Sequence, residues 1–317
     1  MRVYVSGASG FVGAHVAREL ARRGADVRSD RVELLDAAAL ERAVSGCDAV
    51  VHVAALYSYE APVERLLAVN VAGTRNLLDA CARRGVRRFL YTSTAGTCGP
   101  VRGRPATEAD APPAWELAVP YKRTKLAAEQ LVLAAALDGM DALAVNPTTP
   151  VGPGDEKPTP TGRMIRGVAS GRIRGYLAGS GLNVVDVRDV AVGHALALER
   201  GRAGRRYLLG GFDMTLRELF AEVAAVAGRP APRLRVPYAV ARAAAAAGLV
   251  NRNEVRLARL PMFFSSERAC TELGYRPGPL RPALTAAVAD ALGYQRSRRA
   301  RRSETAPSAA PASPSRR

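Results

Sequence analysis

The chain has 317 residues, 48% of them apolar, enough for one large core or two modest ones, so a disordered chain or a disulfide-held miniature is excluded. Lys plus Arg outnumber Asp plus Glu by 46 to 29, a formal net charge of +17, but no helix-turn-helix, zinc-finger or RNA-binding pattern accompanies it. An Arg/Ala-biased composition explains the charge without a nucleic-acid partner, and the charge is unevenly spread: residues 296–317 hold seven Arg and one Glu, +6, leaving +11 for residues 1–295.

The elements alternate from the start. Val3-Tyr4-Val5 reads as a strand, Phe11 to Arg23 as a helix, Ala25 to Arg28 as a strand and Asp36 to Ser45 as a helix. Strand Ala49 to Val53, helix Pro62 to Arg84, strand Arg87 to Thr92, helix Pro120 to Leu137 and strand Asp141 to Val145 follow. Connections this long suit parallel crossovers, so the fold class is α/β, a Rossmann-type doubly wound parallel sheet with a smaller C-terminal substrate lobe. The proline-rich stretch Asn146 to Thr161 takes the chain out of the sheet. Strands at Asn183 to Val187 and Arg206 to Leu209, and helices from Asp189 and near Thr215 to Ala227, Pro237 to Leu249 and Leu280 to Leu292, come after it. Residues 1–150 are expected to form the dinucleotide domain, with a returning segment near 183–200, and residues 151–182 and 201–295 the substrate lobe. The Ser/Ala/Pro-rich tail 296–317 cannot offset its ordering entropy and is expected to be disordered, either solvated or touching anionic lipid.

Cys47, Cys81, Cys98 and Cys270 lack CxxC spacing, and His15, His52 and His194 stand apart without thiol or acidic neighbours. No run reaches the about 20 apolar residues of a bilayer span, and the chain opens on a strand rather than a charged and apolar leader. These features describe a reduced cytoplasmic protein with no metal site and no transmembrane segment.

Gly7-Ala8-Ser9-Gly10-Phe11-Val12-Gly13 is a GxxGxxG run between the first strand and first helix. Glycines there permit a tight turn and let backbone N–H groups approach a pyrophosphate at the helix N-terminus. Asp30 follows 23 residues after Gly7, where a carboxylate accepts from ribose hydroxyls, yet Arg28 and Arg31 flank it and an arginine there pairs with a 2′-phosphate. The cofactor is therefore NAD or NADP. Tyr121 and Lys125 are four apart on one helix face, so an ammonium lies near a phenol and is expected to lower its pKa into a working acid–base range. Only three lysines occur, Lys122, Lys125 and Lys157, which makes a lysine at this spacing informative.

With these motifs the chain resembles the extended short-chain dehydrogenase/reductases, which include the NAD-dependent epimerase/dehydratases. The resemblance runs to about Tyr294 and adds His52-Val53-Ala54-Ala55, Asn70-Val71-Ala72-Gly73-Thr74, Tyr91-Thr92-Ser93-Thr94 and Asn146-Pro147 through Gly152-Pro153. It implies that Thr94 orients the substrate oxygen, Tyr121 moves its proton, and Lys125 tunes Tyr121 and holds the nicotinamide ribose. Cofactor contacts are implied at Gly7, Ser9, Gly10, Phe11, Val12, Gly13, Asp30, Arg31, Ala54, Ala55, Thr92, Tyr121, Lys125, Asn146 and Pro147, and a homodimer through helices Pro62 to Arg84 and Pro120 to Leu137. Within the family the chain is similar to hopanoid-associated sugar epimerases and also to dihydroflavonol 4-reductases, on Asn146 to Pro153, Lys157 to Arg163, Met262 to Ser266 and Glu272 to Pro277.

Two departures bear on the reaction. Ala95-Gly96 follow Thr94 where sugar-nucleotide 4,6-dehydratases carry Asp-Glu, which argues against elimination of water. Leu182 stands where many nucleotide-sugar epimerases place a diphosphate-gripping arginine. The expected function is an epimerase-type NAD(P)-dependent oxidoreductase acting on a carbinol or keto centre of a sugar-like small molecule. The alternatives are an NADPH-dependent ketone or aldehyde reductase, and a non-catalytic dinucleotide-binding protein. Specificity is expected in the loops Gly99 to Val119 and Pro153 to Gly162.

Overall fold

The computed structural model describes residues 1–304, with side chains through residue 293. In chain order the first half runs β1 (Arg2–Ser6), α1 (Phe11–Arg22), β2 (Asp26–Arg28), α2 (Ala37–Val44), β3 (Ala49–His52), α3 (Val63–Leu67), α4 (Gly73–Arg84), β4 (Arg88–Thr92), α5 (Ala114–Leu117), α6 (Pro120–Leu137) and β5 (Asp141–Pro147). Then come β6 (Thr149–Val151), α7 (Pro160–Ala169), β7 (Gly175–Leu177), β8 (Gly181–Asp186), α8 (Val187–Arg200), β9 (Arg206–Leu209) and β10 (Phe212–Thr215). The chain continues through α9 (Leu216–Val226), β11 (Leu234–Val236), α10 (Tyr238–Ala246), α11 (Arg252–Leu257) and α12 (Arg281–Glu304).

Six parallel strands in the order β2-β1-β3-β4-β5-β9 make the main sheet. Its strands are covered on both faces, and their apolar residues divide with period 2 between two cores. Val3, Val5, Val51, Leu90 and Leu143 pack with Val16 and Leu20 of α1 and Val190, Ala191 and Leu198 of α8. Tyr4, Val50, Phe89, Tyr91 and Ala144 face the opposite way, against Leu40, Leu77 and Val132 of α2, α4 and α6. A third core joins Val151, Ile165, Val184, Leu219, Phe220 and Leu284, so β6, β8, α7, α9 and α12 form the second lobe around the small sheet β10-β8-β6.

Local signals explain several boundaries. Asp36 caps α2 by accepting from Ala39 N at 2.9 Å, and Thr215 with Glu218 forms a reciprocal capping box at α9. The single helix expected from Pro62 to Arg84 is broken by a π-helical turn at Ala68–Ala72. Asn70 in that turn bonds Leu56 N, Leu56 O and Thr124 Oγ1, an arrangement that ties the segment after β3 to α6.

Three boundaries of the sequence reading are corrected. β8 pairs with β6 and β10, so Asn183 to Asp186 belongs to the lobe and not to a returning part of the dinucleotide domain. The segment that returns is α8 with β9: Arg206 to Leu209 pairs in parallel with Ala144 to Pro147 and completes the main sheet, although it was expected in the lobe. Finally, α12 runs through Glu304, so residues 296–304 are helical rather than disordered, and the remainder of the expected tail, 305–317, lies outside the described residues. Among the described residues no helix is long and apolar enough to cross a membrane.

Candidate active site

A cavity of about 850 Å³ lies at the C-terminal ends of the parallel strands and reaches into the second lobe. One end is backbone. Gly7 has φ +74°, and a Cβ there would stand 2.6 Å from Ala54 N; a Cβ on Gly13 would stand 2.1 Å from Gly7 O. Both positions therefore exclude any side chain, and the turn from Gly7 to Gly13 closes tightly onto the end of β3 and delivers the N-terminus of α1 to the cavity. Ser9, Gly10, Phe11, Val12, Ala54 and Ala55, where the resemblance implies cofactor contacts, line this end.

Asp30 and Arg31 also line the cavity, both exposed. Arg31 has no hydrogen bond or ion pair among the described residues, whereas Arg28 is drawn away to donate to Ser45 O at 3.1 Å. That separates two arginines that flank Asp30 in the sequence.

Thr92, Thr94, Tyr121 and Lys125 converge in the middle of the cavity wall. The Tyr121 ring is nearly buried and packs at 4.8 Å between centroids on Tyr57 and 6.0 Å on Tyr59. Lys125 Nζ donates to Thr92 O at 2.7 Å and lies 4.2 Å over the Tyr91 ring. Burial lowers the Lys125 pKa to about 7, with Glu129 opposing that shift. The expected lowering of the Tyr121 pKa is not found: burial, then the Tyr57 phenol, push it well up. Lys125 is spent on a backbone carbonyl and an aromatic face, and its own ammonium is weakened by desolvation, so little positive charge reaches the phenol.

Asn146 and Pro147 part company. Pro147 lines the cavity, but Asn146 is wholly buried beside it, donating to Glu129 Oε2 at 2.6 Å and Thr97 Oγ1 at 2.9 Å. Glu129 in turn accepts from Arg206 at 2.9 Å, and Arg206 donates to the Glu108 and Asp110 carbonyls. The Asn146 Nδ2 thus links β5, through Glu129 and Arg206, to β9 and the loop after β4, while its Oδ1 is buried without a partner. The histidines serve packing: His52 bridges Ser6 and Thr74, His194 bridges Thr92 and Val190 O, and burial lowers their pKa values to about 3 and about 4.

The far end of the cavity is lined by Met164, Leu182, Leu216, Leu257, Met262 and Phe264. Of the two loops expected to set specificity, the one from Pro153 to Gly162 contributes Asp155, Lys157, Thr159, Pro160 and Thr161, whereas no residue between Gly99 and Val119 reaches the cavity. The latter loop is held against β9 by Arg206 and by Glu108, which accepts from Leu208 N. Sequence reasoning did not find Tyr57, Tyr59 or Lys122. A Tyr-x-Tyr pair just after an apolar strand, and a scarce lysine adjacent to Tyr121, were the available signals.

A glycine-built cradle on a six-stranded parallel sheet, followed by a Tyr–Lys pair on the helix before β5, defines an extended short-chain dehydrogenase/reductase, an NAD(P)-dependent oxidoreductase scaffold. The chain belongs to the NAD-dependent epimerase/dehydratase family, whose sequence profile matches residues 3–210. It is 35% identical to a putative dihydroflavonol 4-reductase of Synechocystis sp., over 90% of this chain and 93% of that one. It is 32% identical to the sterol demethylase protein B of Methylococcus capsulatus, over 94% and 99%. Among solved structures it superposes on a nucleoside-diphosphate-sugar epimerase from Pseudomonas aeruginosa with TM-score 0.79 and 30% identity, covering 93% and 98% of the two chains.

Proposed function

We propose that the protein oxidises a carbinol or reduces a carbonyl on an apolar small molecule, exchanging its cofactor at each turnover. The observation that carries this reading is the wall around Leu182. Leu216, Leu257, Met262 and Phe264 join it, a lining suited to hydrocarbon rather than to a nucleotide diphosphate, which would lose its hydration against such a surface. Names of relatives point the same way, since one is a putative dihydroflavonol 4-reductase and another a sterol demethylase protein, whereas the superposed epimerase supports the sugar reading.

The residues present fit a nicotinamide dinucleotide, because the side-chain-free turn from Gly7 to Gly13 brings backbone and the N-terminus of α1 to the edge of the cavity. Such a cofactor supplies or accepts the hydride. Gly7 to Gly13 would hold its pyrophosphate, Asp30 or Arg31 its adenosine ribose or 2′-phosphate, and Ala54, Ala55 and Pro147 would border it. Thr94 holds the substrate oxygen, and Tyr121, whose hydroxyl has no protein partner among the described residues, gives or takes its proton. A phenol with a raised pKa is a proton donor at rest, which suits reduction. Lys125 shares the wall with Tyr121, and a carbonyl oxygen gaining charge there favours its protonated form. Arg31, free and exposed, is the cation for a 2′-phosphate, so NADPH is the expected reductant.

The test is to release and identify nucleotide from the purified protein and to follow cofactor during turnover. The proposal expects no stoichiometric bound nucleotide and one reduced cofactor consumed per product. Tightly held NAD with no net consumption supports the epimerase reading instead.

A further inference from the structure

Lys122 is a buried ammonium beside the reacting groups with no part in the hydride chemistry. It follows Tyr121 on the first turn of α6, is 6% exposed, and borders the cavity together with Thr94, Gly96 and Tyr121. Its Nζ stands 3.1 Å from Oε1 of Glu116, a carboxylate on α5 whose side chain is wholly buried. Glu116 has no polar partner besides Lys122 among the described residues, and Lys122 Nζ has none besides Glu116. Glu116 takes one side of the ammonium, and Lys122 borders the cavity on another.

The neighbouring backbone is shaped around this head group. A Cβ on Gly96 would stand 1.9 Å from Lys122 Nζ and 2.8 Å from its Cδ and Cε, so only glycine at that position lets the lysine lie where it does. The chain holds three lysines against 43 arginines, so a compact ammonium rather than a forked guanidinium at this position is informative. Burying two charges for stability alone is a poor bargain, since an apolar pair of the same volume is often as good. Desolvation pushes the Glu116 carboxyl up to about 7, so near neutrality it balances the ammonium only in part.

We propose that Lys122, steadied by the positioning residue Glu116, binds a carboxylate on the substrate, which makes apolar carbonyl acids the substrate class. This rests on the carbonyl oxidoreductase reading above and adds to it the charge of the substrate: the hydrocarbon lies toward Leu182 and Phe264, the reacting carbon beside Thr94 and Tyr121, and the carboxylate over Gly96.

The test is calorimetric titration of the full chain, saturated with NADP⁺ or NAD⁺, with octanoate and with its neutral counterpart octanamide. Octanoate is expected to bind at least tenfold more tightly. Lys122→Met should bring the two within twofold at unchanged cofactor affinity, and Gly96→Ala, which keeps the charge but displaces it, should do the same. Lys157→Met, which removes the exposed lysine at the cavity mouth, should leave the preference intact. Equal binding by the native chain, no binding of octanoate, or a preference that survives in Lys122→Met and falls in Lys157→Met overturns the proposal. None of these readouts involves turnover, so the hydride-transfer reading stands or falls separately, on loss of activity in Tyr121→Phe.

Discussion

The half of the cavity around Gly7 to Gly13 is made of backbone, and the half around Leu182 is made of side chains gathered from β8, α9, α11 and the segment after it. The first is specified by residues that must be absent: a Cβ at Gly7 or Gly13 would overlap main-chain atoms that cannot move aside. The second is specified by residues that need only be apolar and of suitable size, so it tolerates exchange. One half is therefore rigid in sequence and common to many reactions, while the other is free to change substrate without touching the cofactor.

Substitutions sharpen or break this contrast, beginning at the seam. Tyr121→Phe should lower kcat about a thousandfold, within the range expected for a lost proton donor, and leave cofactor affinity within a few-fold by titration. Full activity in that variant would remove Tyr121 from the chemistry. Glu116→Gln tests the buried pair through stability. The carboxyl has a pKa raised from 4.5 to about 7 in the folded chain, so between those values the folded state keeps a proton that the unfolded chain has lost. Native stability should then fall as pH rises from about 4.5 to about 7 and level off above, a slope worth on the order of 3 kcal/mol that urea unfolding should show missing in the variant.

Gly13→Ala is expected to weaken dinucleotide binding about 100-fold without altering which substrates are taken, because the added methyl strikes Gly7 O. Leu182→Ala should do the reverse, raising KM for an apolar substrate about tenfold at unchanged cofactor affinity, as expected for losing roughly 1.5 kcal/mol of apolar contact. If the glycine variant shifted substrate preference, or the leucine variant cofactor affinity, the two halves would not be independent.

Legibility in the sequence follows the same division. The strand–turn–helix carrying Gly7, Gly10 and Gly13 was readable because glycine spacing and hydrophobic periodicity are local, and Tyr121 with Lys125 because four residues on a helix fix a common face. β8 and β9 were assigned to the wrong sheets because strand pairing is non-local: Arg206 to Leu209 is an ordinary apolar run, and only its register against Ala144 to Pro147 puts it in the main sheet. The burial of Asn146 is non-local for a related reason, since Glu129, which accepts from its Nδ2, lies on another element, while its Oδ1 is left buried without a partner. The charge state of Tyr121 was misjudged because helical spacing reveals a neighbour but not its burial, and desolvation outweighed the cation. The gathering of Leu182, Leu216, Leu257 and Phe264 into one wall is a property of the packed lobe alone.

The distribution of lysines has a practical consequence for chemical labelling. Lys122 and Lys125 are buried in the cavity wall, and Lys157 is exposed at its mouth. With no other lysine in the chain, reagents that acylate side-chain amines should modify the folded protein at Lys157 first and at the two wall lysines only when the cavity is open to them. A general amine reagent thereby becomes a reporter of the mouth, and its rate at each lysine, read by mass spectrometry, measures how far a bound molecule closes the cavity.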